Sequence, residues 1–151
     1  MKNDIALIKI SPHQNKTLNY TGTFSNKIKL NNFLNKQMTC NIMGFGALKY
    51  GGDYQNHLYK ATVKLITNEE CISILGRIMA PKFEDNTICA VGLDGEDVCQ
   101  GDSGGPLICY YKGNKYLYGI VSNGLSCGER GIPSIYTLVG KYEHWINEII
   151  N

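Results

Sequence analysis

Ser103 stands in the run Asp97-Val98-Cys99-Gln100-Gly101-Asp102-Ser103-Gly104-Gly105-Pro106-Leu107. A serine hydroxyl is a poor nucleophile until a base takes its proton. Acyl transfer also needs N–H donors aimed at the oxygen that becomes negative in the tetrahedral intermediate. Glycines beside the serine let the backbone turn sharply and present bare N–H groups, and Gly101, Gly104 and Gly105 are placed to do so. The pattern suits a serine nucleophile with main-chain oxyanion donors. A base is harder to find among the three histidines. His13 follows Pro12 in a polar stretch, His57 enters an apolar run and His144 lies near the C-terminus, and each reads as a surface or structural residue. Two further carboxylates invite attention: Asp4, just before the apolar run Ile5–Ile10, and Asp97, closing the acidic run from Asp94.

Short strands with frequent turns are the elements that must position these residues. Strand patterns fall at 5–10, near Ile28–Leu30, and at 38–44, 58–66, 87–91, 106–111, 115–122 and 134–139, separated by Gly-rich or polar turns, which indicates an all-β barrel or sandwich. The run 5–10 is long enough for one buried strand, with no hairpin partner before it. Residues 11–36 are rich in Asn, Lys, Ser and Thr and read as a linker. Two helices interrupt the strands. One runs from Asn68, a plausible N-cap, to about Leu75; the other spans Val139 to Ile150, with Tyr142, Trp145, Ile146, Ile149 and Ile150 on one apolar face.

Composition narrows the class. With 151 residues, 43% hydrophobic and 19% charged, the chain can bury a core and is not of disordered type. A net charge of +2 with scattered Lys and Arg implies neither nucleic acid nor an anionic membrane as partner. No apolar stretch approaches the ~20 residues of a transmembrane helix. Six cysteines, an even count, suggest three disulfides and an oxidising compartment, although this number allows fifteen pairings. Their spacing gives no zinc site, so no metal or other cofactor is expected. The sequons Asn15-Lys16-Thr17 and Asn19-Tyr20-Thr21 agree with export, whereas Met1-Lys2-Asn3-Asp4 lacks the pattern of a leader, so Met1 is not expected to be the true start.

The Gly-Asp-Ser-Gly-Gly-Pro string, the Asp4-Ile5-Ala6-Leu7 segment and the cysteine-rich all-β pattern together resemble the trypsin/chymotrypsin family of serine endopeptidases (peptidase S1). The resemblance covers essentially the whole chain and corresponds to the C-terminal part of a protease domain. It implies a double antiparallel β-barrel, with residues 1–34 as the end of the first barrel and the linker, and 35–151 as the complete second barrel with its C-terminal helix. It implies Ser103 as nucleophile, the N–H groups of Gly101 and Ser103 as oxyanion hole, and Asp4 as the residue that orients a histidine. That histidine belongs several tens of residues before Asp4, where this chain has none, so the chain alone is expected to be inactive. Asp102 is implied as the partner of the ammonium freed by zymogen cleavage, and is expected here to be unpaired in a zymogen-like loop. Asp97, six residues before Ser103, is implied at the base of the primary specificity pocket, favouring Arg or Lys. Ser122 and Gly124 match the strand that pairs with substrate, with Asn123 where tryptophan is usual. Ser134 replaces the usual glycine of the pocket wall, narrows it and is placed to hydrogen-bond Asp97. The implied disulfides are Cys40–Cys109, Cys71–Cys89 and Cys99–Cys127. A secreted monomeric zymogen acting on protein or peptide substrates, and met by protein inhibitors, follows from the resemblance. A non-catalytic binding module on the same scaffold is the alternative, against which the intact serine motif counts.

Overall fold

A computed structural model describes residues 2–10, 22–23, 39–82 and 86–150. Seven strands are present among them: β1 (Gly22–Thr23), β2 (Thr39–Gly44), β3 (Tyr59–Ile66), β4 (Thr87–Gly92), β5 (Pro106–Tyr111), β6 (Asn114–Gly124) and β7 (Ser134–Leu138). The sheet runs β1-β6-β5-β2-β3-β4-β7, and β7 returns to pair with β6, so β2 to β7 close into a six-stranded barrel. All pairings around the barrel are antiparallel, and β1 adds to β6 in parallel through Gly22 and Thr23. Closure removes the unpaired edges that an open sheet would expose.

The barrel follows from alternation. In β3, Val63 and Leu65 point inward while Lys64 between them is exposed. With Ile42, Ile88, Leu107, Tyr118, Val121 and Tyr136 they build one core. Cys40–Cys109 crosses the β2–β5 pair, where the two cysteines are register partners. Cys71–Cys89 fastens helix α1 (Asn68–Met79) to β4 and forms a second small core with Ile66. Each bridge stabilises a domain of this size by about 2–4 kcal/mol.

Three expectations need correction. The cap of α1 is Thr67, not Asn68: the Thr67 Oγ1 accepts from Glu70 N at 3.1 Å, and the Glu70 carboxylate accepts from Thr67 N at 2.8 Å. This reciprocal pair satisfies two of the donors a helix start leaves open. The regular part of α1 ends where expected, because Gly76 (φ 74°) leaves helical geometry before the last turn. The stretch 139–150 is a 3-10 turn (Val139–Tyr142) followed by helix α2 (Glu143–Ile150), and it packs on the barrel through Val139 and Tyr142, whereas Ile149 and Ile150 stay exposed. Residues 5–10, expected as a buried strand, form no strand. Among the described residues none pairs with them, and Ile8 is 85% exposed. An apolar run becomes a buried strand only beside a partner that takes its hydrogen bonds. The strand near Ile28–Leu30, most of the linker, His13 and both sequons lie outside the described residues.

Candidate active site

Ser103 sits on an exposed turn between β4 and β5. Gly101 (φ 94°) and Gly104 (φ 80°) adopt the left-handed region that a side chain makes costly. Gly104 N donates to Val121 O at 2.9 Å and Val121 N to Gly105 O at 2.9 Å, stitching the turn to β6. Asp102 N donates to Cys99 O at 3.0 Å, and Gly105 N to Asp102 O at 2.8 Å. The Cys99–Cys127 disulfide ties the near side of the turn to the segment after β6. Among the described residues, the N–H groups of Gly101 and Ser103 donate to no protein acceptor. Pinned on three sides, the turn leaves a hydroxyl and two main-chain donors without a partner among the described residues.

The Asp102 carboxylate, expected without an ammonium partner, is part of that pinning through main-chain N–H groups. Its Oδ2 accepts from Cys99 N at 3.0 Å and its Oδ1 from Gly46 N at 2.9 Å. A carboxylate out of water needs such donors. The approach is possible because residue 46 is glycine: a Cβ there would lie 2.5 Å from the carboxylate. Gly44 is equally close-packed on it. The Gly44-Phe45-Gly46 pair was the missed signal, since two glycines closing a strand mark a backbone that something must approach.

Beside Ser103 opens a cavity of about 170 Å³, walled by Val98, Ser103, Val121, Ser122, Gly124 and the Cys127 segment. Ser122 falls at a register shift of the β6–β7 ladder, between Val121↔Tyr136 and Asn123↔Ile135. Such a bulge re-aims a side chain. The Ser122 Oγ donates to Asp4 Oδ2 at 2.7 Å. Thr137 Oγ1 donates to the Asp4 carbonyl at 2.8 Å, and Tyr142 Oη to Asn3 Oδ1 at 3.0 Å. Three side chains of the barrel thus seize the backbone and side chains at 3–4, and Asp4 reaches the rim of the Ser103 cavity through one shared serine. The sequence proposed Asp4, Ser122 and Ser103 separately, and the fold brings them together; Thr137 and Tyr142 carried no signal.

Asp97 is held by one main-chain N–H and two side chains. Val98 N donates to its Oδ1 at 2.8 Å, Ser134 Oγ to its Oδ2 at 2.8 Å, and Tyr136 Oη reaches Oδ1 at a long 3.4 Å. Burial raises the Asp97 pKa above the usual carboxylate value, and the three hydrogen bonds oppose that shift. Burial also pushes the Tyr136 phenol well up, and the Asp97 charge adds to it. Asp97 borders a second cavity of about 290 Å³, shared with Gly44, Gly46, Lys60 and Asp102, and Val98 borders both cavities. The described histidines stand elsewhere: His57 is exposed before β3, and His144 contacts Glu148 at 3.3 Å on α2.

A closed six-stranded barrel bearing a glycine-flanked serine, free main-chain donors and a docked aspartate defines a protein of the serine-protease class. The Trypsin family model matches residues 1–146, and the chain belongs to that family. It is 42% identical over 111 residues to human transmembrane protease serine 11A, covering 72% of this chain and 26% of that protein. It is also 42% identical over 115 residues to the mouse hepatocyte growth factor activator serine protease, covering 74% of this chain and 17% of that one. Protein masquerade of Drosophila melanogaster is 33% identical over 114 residues. The chain therefore spans about a quarter or less of the curated relatives it matches. The solved structure of neuropsin, a serine protease expressed in the limbic system of mouse brain, superposes with a TM-score of 0.64 at 33% identity, over 76% of this chain and 49% of that one.

Proposed function

We propose that this chain carries the nucleophile half of a serine endopeptidase that cleaves after Arg or Lys. The observation that carries the reading is Ser103, exposed on a turn with two uncommitted N–H groups, at the wall of a cavity whose other wall holds Asp4 through Ser122. Ser103 Oγ attacks the scissile carbonyl, a base takes the hydroxyl proton, and the N–H groups of Gly101 and Ser103 receive the negative oxygen. The protonated base gives its proton to the leaving nitrogen, and collapse expels the amine, leaving an ester on Ser103 that water hydrolyses. Asp4 orients the base through an imidazole N–H. Asp97 supplies the counter-charge for a basic substrate side chain, and Ser122 and Gly124 flank that side chain's path.

Neither described histidine, His57 nor His144, takes the base's place; without a base the chain by itself is inactive, since loss of the base lowers turnover by roughly 10⁴–10⁶. The imidazole comes from a first barrel of which residues 1–34 are the end, and 35–151 are the second barrel. Asp102, at the wall of the 290 Å³ cavity, is placed to exchange a main-chain donor for the ammonium of a cleaved zymogen. Three disulfides fit work outside the cell; action on protein substrates as a monomer, subject to protein inhibitors, belongs to the same proposal.

The test is a chimera that joins this chain to the preceding, histidine-bearing part of a working protease domain of the same family. Hydrolysis of Lys or Arg esters that disappears with Ser103→Ala supports the reading. A folded chimera without Ser103-dependent hydrolysis overturns it.

A further inference from the structure

Asn123 and Gly124 form the only Asn-Gly pair in the sequence, and the fold sets it in the wall of the Ser103 cavity. Both residues are exposed, and they close β6 immediately after the ladder slips at Ser122. The Asn123 carboxamide folds back on its own main chain: Gly124 N donates to Asn123 Oδ1 at 2.9 Å. That contact sets the main-chain nitrogen beside the side-chain amide, whose carbon Cγ carries the accepting oxygen. Gly124 has no Cβ to cover its nitrogen. The exposed asparagines at 56 and 114 differ: Asn56 precedes His57 and Asn114 precedes Lys115, so a side chain crowds the nitrogen next to each amide.

We infer that Asn123 is a self-modification site, where attack of Gly124 N on Asn123 Cγ leads to an aspartate or isoaspartate that charges the cavity wall. The inference goes beyond the protease reading and does not depend on it. Hydroxide takes the Gly124 N–H proton, and the nitrogen forms a bond to Asn123 Cγ. The bond from Cγ to Nδ2 breaks, and the departing nitrogen takes a proton from water and leaves as ammonia. A five-membered imide remains, and water opens it at one of its two carbonyls. Cleavage of the new bond to Cγ restores the ordinary main chain with an aspartate. Cleavage of the old bond to the Asn123 carbonyl carbon leaves the chain running through Cγ, as isoaspartate. The sum is carboxamide plus water giving carboxylate plus ammonium. Either product is ionised at neutral pH, so the net charge falls by one from +2. The new charge stands next to Ser122, whose hydroxyl already serves Asp4. Isoaspartate also adds a main-chain carbon, which moves Gly124 off its register partner Ser134. The cavity wall is thus neutral at residue 123 in a new chain and anionic in an aged one.

The test incubates the oxidised 151-residue chain at mildly acidic and mildly alkaline pH. Peptide mapping after acidic digestion locates each change, and an isoaspartate methyltransferase reports the isoaspartate. A one-charge acidic shift is expected, with both products appearing at 123 before any change at Asn56 or Asn114. The alkaline sample is expected to convert faster, because the attacking nitrogen must lose its proton. Hydroxylamine is expected to trap the imide by cutting the chain between 123 and 124. Asn123→Gln, which would have to close a larger ring, is expected to lose the early acidic shift. The Val121, Gly124 and Ser134 amide resonances are expected to move as product forms. An Asn123 that stays intact in the folded chain while the reduced, unfolded chain converts it overturns the inference, since β6 then protects the pair. An early acidic shift that survives Asn123→Gln, or that maps to Asn56 or Asn114, overturns it as well. Product formation that leaves those three resonances unmoved overturns the change of the cavity wall. None of these outcomes bears on the chimera, which tests Ser103 separately.

Discussion

The turn at 97–105 and the segment at 2–10 carry one proposed catalytic side chain each, and they are held in opposite ways. The turn is fastened by a disulfide, by ladder-like bonds to Val121 and by a carboxylate gripping main-chain N–H groups on both sides of it. The segment is held at its start, by Ser122, Thr137 and Tyr142, and beyond Asp4 its Leu7, Ile8 and Ile10 are exposed. Ser103, the proposed nucleophile, is thus held on its turn by the six-stranded barrel. The aspartate is borrowed: three hydroxyls catch residues 3–4, and the apolar residues that follow have no cover among the described residues. In a cleft enzyme built this way, one barrel sets the geometry of attack and the other delivers the base.

Substitutions at the two ends test that difference. The largest effect is expected at the disulfide: replacing Cys99 and Cys127 together by Ser lowers stability by about 2–4 kcal/mol in denaturant titration and loosens the turn. Gly46→Ala drives a methyl group toward the Asp102 carboxylate and is expected to cost about 1–3 kcal/mol by the same titration. Breaking the tail's anchor does less. Asp4→Ala removes one hydrogen bond at an exposed side chain and is expected to cost about 0.5–1.5 kcal/mol, with faster hydrogen exchange confined to 2–10. An equal loss from Asp4→Ala and from the disulfide pair would erase the contrast.

A smaller effect is expected at Asp97. Burial raises the Asp97 pKa in the folded chain, so the native state holds its proton to higher pH than the unfolded state does. Its contribution to stability is therefore fully present below the unfolded carboxylate value and is lost as pH rises through the folded value. Asp97→Asn, which keeps an acceptor for Val98 N and a polar partner for Ser134, is expected to flatten that fall in a pH series of unfolding midpoints. An unchanged slope would show that Ser134, Val98 and Tyr136 stabilise the charge in full.

The barrel was legible because alternation and turn residues are local signals. Strands at 39–44, 59–66, 87–92, 106–111, 114–124 and 134–138 fall within two residues of the pattern. The serine turn was legible because its chemistry demands glycines in series. What the sequence hid were contacts between distant segments. Nothing local marks Thr137 and Tyr142 as anchors of residues 3–4, or residue 46 as a donor to Asp102, because each is defined by the element packed against it. The run at 5–10 misled for the same reason: its composition suits a buried strand, and burial depends on a partner. Thr67 was passed over as a cap because Asn68, next to it, has an equally suitable side chain, and only the reciprocal bond with Glu70 separates the two.

The central claim is a preformed nucleophile in want of a base, and the most direct measurement supplies one. The rate at which a fluorophosphonate modifies Ser103 in the 151-residue chain is followed with and without added imidazole, beside the Ser103→Ala variant. Slow labelling alone, acceleration that grows with imidazole concentration, and none in the variant are expected. Fast labelling that imidazole leaves unchanged, or labelling that survives Ser103→Ala, would contradict it.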